Sequence, residues 1–575
     1  MSNKEMAKGH SFLSHFSLKN SVAIAVLSAT TMWVGGDAFA HTDFPQPSLA
    51  PLKQKSQVYK AYFPSDQIAR QVVKSMETLS SDYEQGYLVV PGDSQQLNKL
   101  IGLGFKLEAV NAKDSGLNLV PAATIRESAD HIPGYSCYPT VEATFKEAKT
   151  LADEHPRLAE WIDIGDSWRK TQQRGGYDLM VLKLTRNNDI EDKPKLFINS
   201  AIHAREYATA PLALAFAKNL LTGYGNDADA TWILDHHEVH LLLQTNPDGR
   251  KQAEKGVLWR KNVNDFNGCY NPLKQGIDLN RNFTFGWGTT TDGSSGDVCS
   301  QVYRGSAPGS EPEVQALQNY VRSLYPDRRG AERNDPAPLD TSGIHLDIHS
   351  HGRLVLWPWG TNGDPAPNHT QLQTLGRKFA YFNGYSPERS LGLYETDGTS
   401  DGISYGELGV AAFTFELGTE FFESCHYFEQ KILPDNLKAL RYAAKVVRAP
   451  YQLPTGPEVY SVNIDNEASE NPVPAGTWLS LSAIADDSRF SHRNGVEPVQ
   501  TITAAEYFLD VPPWQEGAER QPMQSVSGDF DLEQQAIKGI IDTRNLSSGK
   551  HIAFVRAMDS DGRWGPVSAV FFSIQ

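Results

Sequence analysis

The sequence predicts an α/β fold for residues 131–450, with a smaller α/β unit before it and an all-β unit after it. Three observations carry that prediction. Apolar runs of strand length alternate with longer helical runs through the middle of the chain. Pro450, Pro454, Gly456 and Pro457 close that stretch with helix and strand breakers. Beyond them the pattern is that of strands alone, cut by Gly, Pro and Asp turns.

At 575 residues the chain exceeds what one hydrophobic core supports, and length alone suggests about three or four domains. With 53 basic and 69 acidic residues the net charge is −16, which argues against general nucleic-acid binding and leaves basic or neutral partners open. Residues 1–40 have the form of a secretory signal. Lys4, Lys8 and Lys19 make a basic start, residues 22–34 a modest apolar run, and Ala38-Phe39-Ala40 a cleavage site that puts the mature start near His41. A secreted or periplasmic protein is therefore expected. No later run reaches the roughly 18 apolar residues of a membrane span.

Four cysteines fit an oxidising compartment and allow three pairings. Cys269 and Cys299 share one Gly/Asn/Ser-rich region and are the favoured pair, which leaves Cys137 and Cys425 to clip the start of the central domain to its end.

Taken in order, residues 41–55 are polar and read as a leader. Residues 58–63, 87–90 and 105–110 read as strands. Ser65 caps a helix carrying Ile68, Val72, Val73 and Met76 on one face, and Leu97, Leu100 and Ile101 mark a second helix. This β-α-β-α-β piece holds no cluster of His, Cys or carboxylate, so it reads as a covering unit rather than a reactive one. Residues 111–130 are a linker. In the central domain, strands are expected at 179–184, 196–200, 239–245, 344–349, 355–357 and 410–417, and helices at 141–155, 208–221, 311–324 and 436–447. Residues 477–485, 504–511, 551–557 and 567–574 are the strands of an expected C-terminal β-sandwich.

The stretch with the most chemistry is His203-Ala204-Arg205-Glu206, between an apolar strand and an Ala/Leu-rich helix. A His and a Glu at a strand-to-helix turn can grip one metal ion together. The same spacing recurs at His426 and Glu429 and reads there as chance. A catalytic zinc takes three protein ligands and leaves a position for water. On the strand 344–349, His345, Asp347 and His349 share one face, with His349 at the carboxyl end, where open α/β sheets bind ligands. His236, His237 and His240 read as surface or sheet histidines. A charge inside Phe413-Thr414-Phe415-Glu416-Leu417 calls for a function.

These blocks resemble the zinc carboxypeptidases of the pancreatic A/B and bacterial T type. Between them stand Asn246-Pro247-Asp248-Gly249, Trp259-Arg260-Lys261-Asn262 and Asp278-Leu279-Asn280-Arg281-Asn282, in the family's order. The resemblance implies a mixed eight-stranded sheet flanked by helices and one zinc ion held by His203, Glu206 and His349. It implies Glu416 as the general base acting on zinc-activated water, and Arg260 as the group that stabilises the oxyanion. Asn280 and Arg281 would take the terminal carboxylate of a peptide or protein substrate, with Arg205 further out and Tyr394 closing over it. Asp401 falls where the pancreatic enzymes choose their side chain, and an acid there implies a preference for C-terminal Lys or Arg. Gly402 and His351 depart from the pattern; many relatives have a second Asp at the first position and the pancreatic enzymes a Tyr at the second. Both departures bear on side-chain preference, not on the reaction. The pairing of Cys269 with Cys299 resembles the pancreatic disulfide.

The resemblance divides the chain into a signal peptide (1–40), an N-terminal pro-segment with linker (41–125), the catalytic domain (126–450) and an accessory β-sandwich (451–575), and a zymogen that acts as a monomer is expected. Two rival readings keep the scaffold: a zinc amidase acting on cell-wall peptides, and a catalytically silent binding protein. Asn280, Arg281 and Tyr394 favour the exopeptidase over the first. The complete set His203, Glu206, His349 and Glu416 argues against the second.

Overall fold

Strands β1 (Val58–Tyr62), β2 (Ser80–Asp82), β3 (Tyr87–Pro91) and β4 (Lys106–Val110) form an antiparallel sheet in the order β2-β3-β1-β4. The helices Asp66–Ser75 and Ser94–Gly102 accompany it. The Ser65 side chain accepts from the Ile68 amide, the capping contact expected there. Ala69, Val72, Leu88, Val90 and Leu100 make this unit's own core. The strand β2 was not expected, because three polar residues carry no alternation to read. The computed structural model of the protein describes residues 57–110, 130–464 and 471–575, apart from positions 77, 84, 93 and 362. The expected signal peptide, the leader after it and most of the linker lie outside the described residues.

The central sheet has eight strands, as the resemblance implied: β5 (Ala159–Asp166), β6 (Asp178–Leu184), β7 (Lys195–Ser200), β8 (Glu238–Leu242), β9 (Ile344–Ser350), β10 (Leu354–Trp357), β11 (Ser386–Arg389) and β12 (Ala411–Leu417). Their order is β11-β10-β12-β9-β7-β8-β6-β5. The neighbours β12, β9, β7 and β8 run parallel, while β10 meets β12, and β6 meets β8 and β5, antiparallel. Every residue of β9 is buried, as a central strand covered on both faces requires. Helices Thr209–Gly223, His369–Asn383 and Leu433–Val446 pack their apolar residues into the large core that includes Ile198, Leu346, Phe379, Phe415 and Leu440. The two strands the sequence did not disclose, β5 and β11, lie at the sheet's edges. There polar residues, and the Pro387 of β11, are tolerated and the hydrophobic signal is weak. No helix among the described residues is long and apolar enough to cross a membrane.

After residue 457, β13 (Glu458–Ile464), β14 (Trp478–Asp486), β17 (Gln524–Ser525) and β18 (Gln534–Asp542) form one sheet. A second holds β15 (Ile502–Leu509), β16 (Gln521–Pro522), β19 (Gly549–Asp559) and β20 (Ser568–Ile574). Leu479, Leu481 and Ile537 of the first share a core with Tyr507, Val555 and Phe572 of the second, which makes the expected sandwich. The sandwich is docked on the central domain through buried charge. Lys378, fully enclosed, pairs with Glu458 at 3.2 Å, and the Arg377 guanidinium donates to the carbonyls of Ser491, Arg493, Asn494 and Gly495.

Both disulfides are formed, Cys137–Cys425 and Cys269–Cys299, with Cα separations of 5.5 and 5.2 Å.

Candidate metal centre and cleft

The strands β12, β9 and β7 are neighbours, and their carboxyl ends open on one side of the sheet. β9 ends in His349-Ser350 and β12 carries Glu416 in its last turn of side chains. After β7 the chain turns sharply at Ala201, whose φ of 55° is unusual for a residue with a side chain. The loop 201–208 has no ladder of its own, so its carbonyls find other partners. The buried Arg250 guanidinium donates to the carbonyl oxygens of Ala204, Glu206 and Tyr207 at 3.0–3.3 Å. The Asn246 amide donates to the Ile202 carbonyl at 3.2 Å, and the Ala204 amide to the Arg260 carbonyl at 3.1 Å. Residues 246–261 thus hold the loop that presents His203 and Glu206.

His203, Glu206 and His349 are all buried and turn their ligand atoms to one point, each within 4.8 Å of the others. His203 Nδ1 lies 2.8 Å from Glu206 Oε1 and 3.0 Å from His349 Nδ1, which is 3.2 Å from Glu206 Oε2. The far nitrogens face carboxylates: His203 Nε2 is 3.1 Å from Asp278 Oδ1, and His349 Nε2 is 3.0 Å from Asp347 Oδ2. A carboxylate accepts, so each Nε2 carries a proton and each Nδ1 is left with a lone pair. Two lone pairs and a carboxylate at these distances repel unless a positive charge joins them. The donor set therefore fits a zinc ion with three protein ligands and one open position. Burial alone would raise the Glu206 carboxyl, but the two imidazoles beside it hold it far below its ordinary range. Among the described residues this is the one such cluster; His426 and Glu429 are not part of any. His237 is buried against the Ala444 carbonyl, and His240 bonds Tyr320 and Glu238, as sheet histidines do.

A cavity of about 500 Å³ opens over this centre. Every other candidate the sequence put forward lines it: Arg205, Arg260, Asn280, Arg281, Tyr394, Asp401 and Glu416. Burial pushes the Glu416 carboxyl up to about 8, with Glu206 and Asp347 adding to the push and His349 and Arg260 opposing it. Arg260 sends Nε and Nη2 to Asp278 Oδ2 at 3.0 and 2.9 Å. Asp278 so braces a metal ligand with one oxygen and a cation with the other. Arg281 donates through Nη1 to the Asn280 carbonyl at 2.6 Å and lies over the Tyr394 ring at 5.8 Å, while its Nε has no partner. Arg205 stacks on Phe421 at 3.9 Å. Asp401 stands just before the π-helical stretch Gly402–Glu407 without a side-chain capping bond to it; it is buried and accepts from Thr399 Oγ1. Burial, with Asp347 nearby, raises its carboxyl above the ordinary Asp range.

The N-terminal unit supplies one wall of the same cavity through Val73, Met76, Thr78, Ser81, Tyr83 and Gln96. Ser80 bridges Glu420, the Ser81 amide donates to the Thr419 carbonyl at 3.3 Å, and Ser81 Oγ lies 3.0 Å from His351 Nδ1. Arg70 reaches Glu388 at 2.8 Å and the Gly392 carbonyl at 2.7 Å.

The sequence alone assigns no role to Asp278, Asp347, Ser400 or Arg250. Asp278 and Asp347 had a signal: the first opens the Asn280-Arg281 block, and the second sits two residues before His349 on the same strand face. Ser400 and Arg250 had none.

A model of the zinc carboxypeptidase (peptidase M14) family matches residues 145–438. Rat carboxypeptidase A1 is 30% identical over 296 residues, covering 49% of this chain and 63% of that protein, so the chain spans just under two thirds of the length of this relative. Bovine carboxypeptidase B2 is 26% identical over 443 residues, 74% of this chain and 97% of the relative. Among solved structures, carboxypeptidase A from Helicoverpa armigera superposes with a TM-score of 0.55 at 23% identity, over 69% of this chain and 98% of that one, and shares the fold.

Proposed function

The chain belongs to the zinc carboxypeptidase family, and from that premise we propose that it is an exported exopeptidase that removes the last residue of peptides and proteins, with a preference for Lys or Arg. One observation carries the reading. The three-donor metal centre, a carboxylate able to act as base and an arginine with an unpartnered Nε line a single cavity.

His203, Glu206 and His349 would hold the zinc. The bound ion supplies Lewis acidity, which makes water acidic near neutral pH and polarises a carbonyl. A bound cation in the same cavity would favour the ionised form of Glu416 against the push of burial, and that carboxylate takes the water's proton and delivers it to the departing amine nitrogen. Arg260, kept in place by Asp278, donates to the oxygen on which negative charge develops. Arg281 and the Asn280 amide bind the terminal carboxylate, which restricts cleavage to the last bond. Arg205 binds the chain upstream and Tyr394 closes over the end. Asp401 faces a Lys or Arg side chain and selects it by charge.

The N-terminal unit acts as a pro-segment, removed with residues 41–125 after export. Its Ser81 contact to His351 and its wall of the cavity support that role. The β-sandwich is an accessory domain. The test is mass spectrometry of peptides with varied last residues, incubated with the chain after removal of the N-terminal unit. Single-residue trimming that vanishes with a chelator and returns with zinc supports the reading. Internal cleavage, or release of cell-wall amides instead, overturns it.

A further inference from the structure

Asp347 lies under the metal centre rather than in the cavity, and it is buried at 1% exposure. Four donors converge on its carboxylate. Oδ2 accepts from His349 Nε2 at 3.0 Å, from Asn280 Nδ2 at 3.2 Å and from Ser400 Oγ. Oδ1 accepts from Asn199 Nδ2 at 2.6 Å. His345 Nε2 in turn sits 2.6 Å from Asn199 Oδ1, and its Nδ1 2.6 Å from Ser404 Oγ, so the acceptor's own support is tied into the sheet. The Ser400 amide donates to Asn280 Oδ1 at 2.9 Å. With Oδ1 so engaged, the Asn280 amide cannot flip, and its Nδ2 is held between Asp347 Oδ2 at 3.2 Å and His349 Nε2 at 3.0 Å.

We infer that Asp347 is a positioning residue that couples the two halves of the site. By accepting from His349 Nε2 it fixes the tautomer and ring angle that turn Nδ1 to the metal. By accepting from Asn280 Nδ2 with the same oxygen it holds that amide on the cavity wall, where the proposed site for the substrate's terminal carboxylate lies. One buried carboxylate thereby aligns the grip on zinc with the grip on the peptide end. The inference rests on the proposed roles of His349 and Asn280.

The test makes the full chain with Asp347→Asn, which keeps the shape but removes the charge and one acceptor oxygen, and reads it after the N-terminal unit has been removed as for wild type. Two constants are read on folded protein. The zinc dissociation constant, from competition with a chelator, should rise about 10–100-fold, and KM for a short peptide ending in Arg, at saturating zinc, about tenfold. Ser400→Ala strips a single donor from the carboxylate and should move both constants severalfold in the same direction; it serves if Asp347→Asn does not fold. A merely structural role lowers the melting temperature and leaves both constants of the folded protein at wild-type values, and that result overturns the inference. A shift in one constant alone overturns the coupling. If the wild-type chain, freed of its N-terminal unit, itself binds no zinc and trims no peptide, the parent reading has failed instead.

Discussion

Glu416 stands directly opposite His349 in the register of the parallel pair β12 and β9. The proposed base and a metal ligand therefore leave the sheet at the same level, and backbone hydrogen bonds set their spacing. On the other side of β9, Ser200 of β7 faces Ile348, so the next residues of that strand enter the same end. This arrangement separates the base from the metal grip. Glu416→Gln should lower kcat by about 10²–10⁴-fold while zinc per chain and KM stay near wild type. Metal analysis beside steady-state kinetics checks it; a zinc-free variant would show that the carboxylate also serves the metal.

Metal removal should cost stability as well as activity. Without an ion, the Nδ1 atoms of His203 and His349 confront each other at 3.0 Å beside the Glu206 carboxylate. Zinc at about 100 times its dissociation constant should stabilise the fold by about 2.7 kcal/mol, read as a rise in melting temperature on adding zinc to chelated protein. His203→Ala should abolish that response. An equal response in the variant would place the binding elsewhere.

Much of this centre was legible because its parts are local. The strand 344–349 announces itself by apolar residues at every second position, Ile344, Leu346 and Ile348, and the position of His349 at its end needs no tertiary knowledge. The partners of that histidine were not legible. Asn280 and Ser400 meet Asp347 from loops 67 and 53 residues away, and nothing in either loop points to that strand. The same holds for β2, three polar residues whose pairing with Glu420 depends on how two units dock. The edge strands β5 and β11 escaped notice because they lack the apolar runs of the buried interior. The β-sandwich was read from alternation alone, but the ion pair of Lys378 with Glu458 that fixes it to the central domain was invisible.

Specificity should follow Asp401. Asp401→Ala should lower kcat/KM for peptides ending in Lys or Arg by about 10–100-fold, as loss of a close charge pair worth roughly 1.5–3 kcal/mol implies. Peptides ending in Leu or Phe should gain relative to them. Because burial raises the Asp401 carboxyl, its charge is lost on acidification earlier than that of an exposed Asp. The ratio of Arg to Leu cleavage should therefore fall as pH drops, and the variant's ratio should not. A wild-type ratio near one at every pH would remove Asp401 from the selection.

Glu313 predicts a second pH dependence, this one of stability. It is fully buried with Glu311 beside it, and burial first, then that neighbour, pushes its carboxyl up to about 8. The folded-state value lies above the unfolded one, so folding favours the protonated acid. Its contribution is complete below about pH 4.5 and is lost as pH rises through about 8. Wild-type protein at fixed zinc should lose melting temperature between pH 6 and about 9, and Glu313→Gln, which stays neutral, should lose less. Parallel slopes for the two proteins would mean that Glu313 does not titrate in that range.

Release of the N-terminal unit should depend on Arg70. Its guanidinium donates to Glu388 at 2.8 Å and to the Gly392 carbonyl at 2.7 Å, both on the segment that leads into Tyr394. Burial raises the Glu388 carboxyl, and Arg70 pulls it back down. Arg70→Glu sets two acids against each other where an ion pair stood, and a partly buried pair is worth more than an exposed one. After the linker is cut, the unit should dissociate several times faster than in wild type. Onset of peptide trimming following a brief protease pulse measures the rate. Ser81 of the N-terminal unit also lies 3.0 Å from His351 Nδ1, and residues of the unit line the cavity wall. Unchanged onset would mean that the Ser80–Glu420 bridge and its apolar neighbours, rather than the Arg70 contact, hold the unit over the cleft.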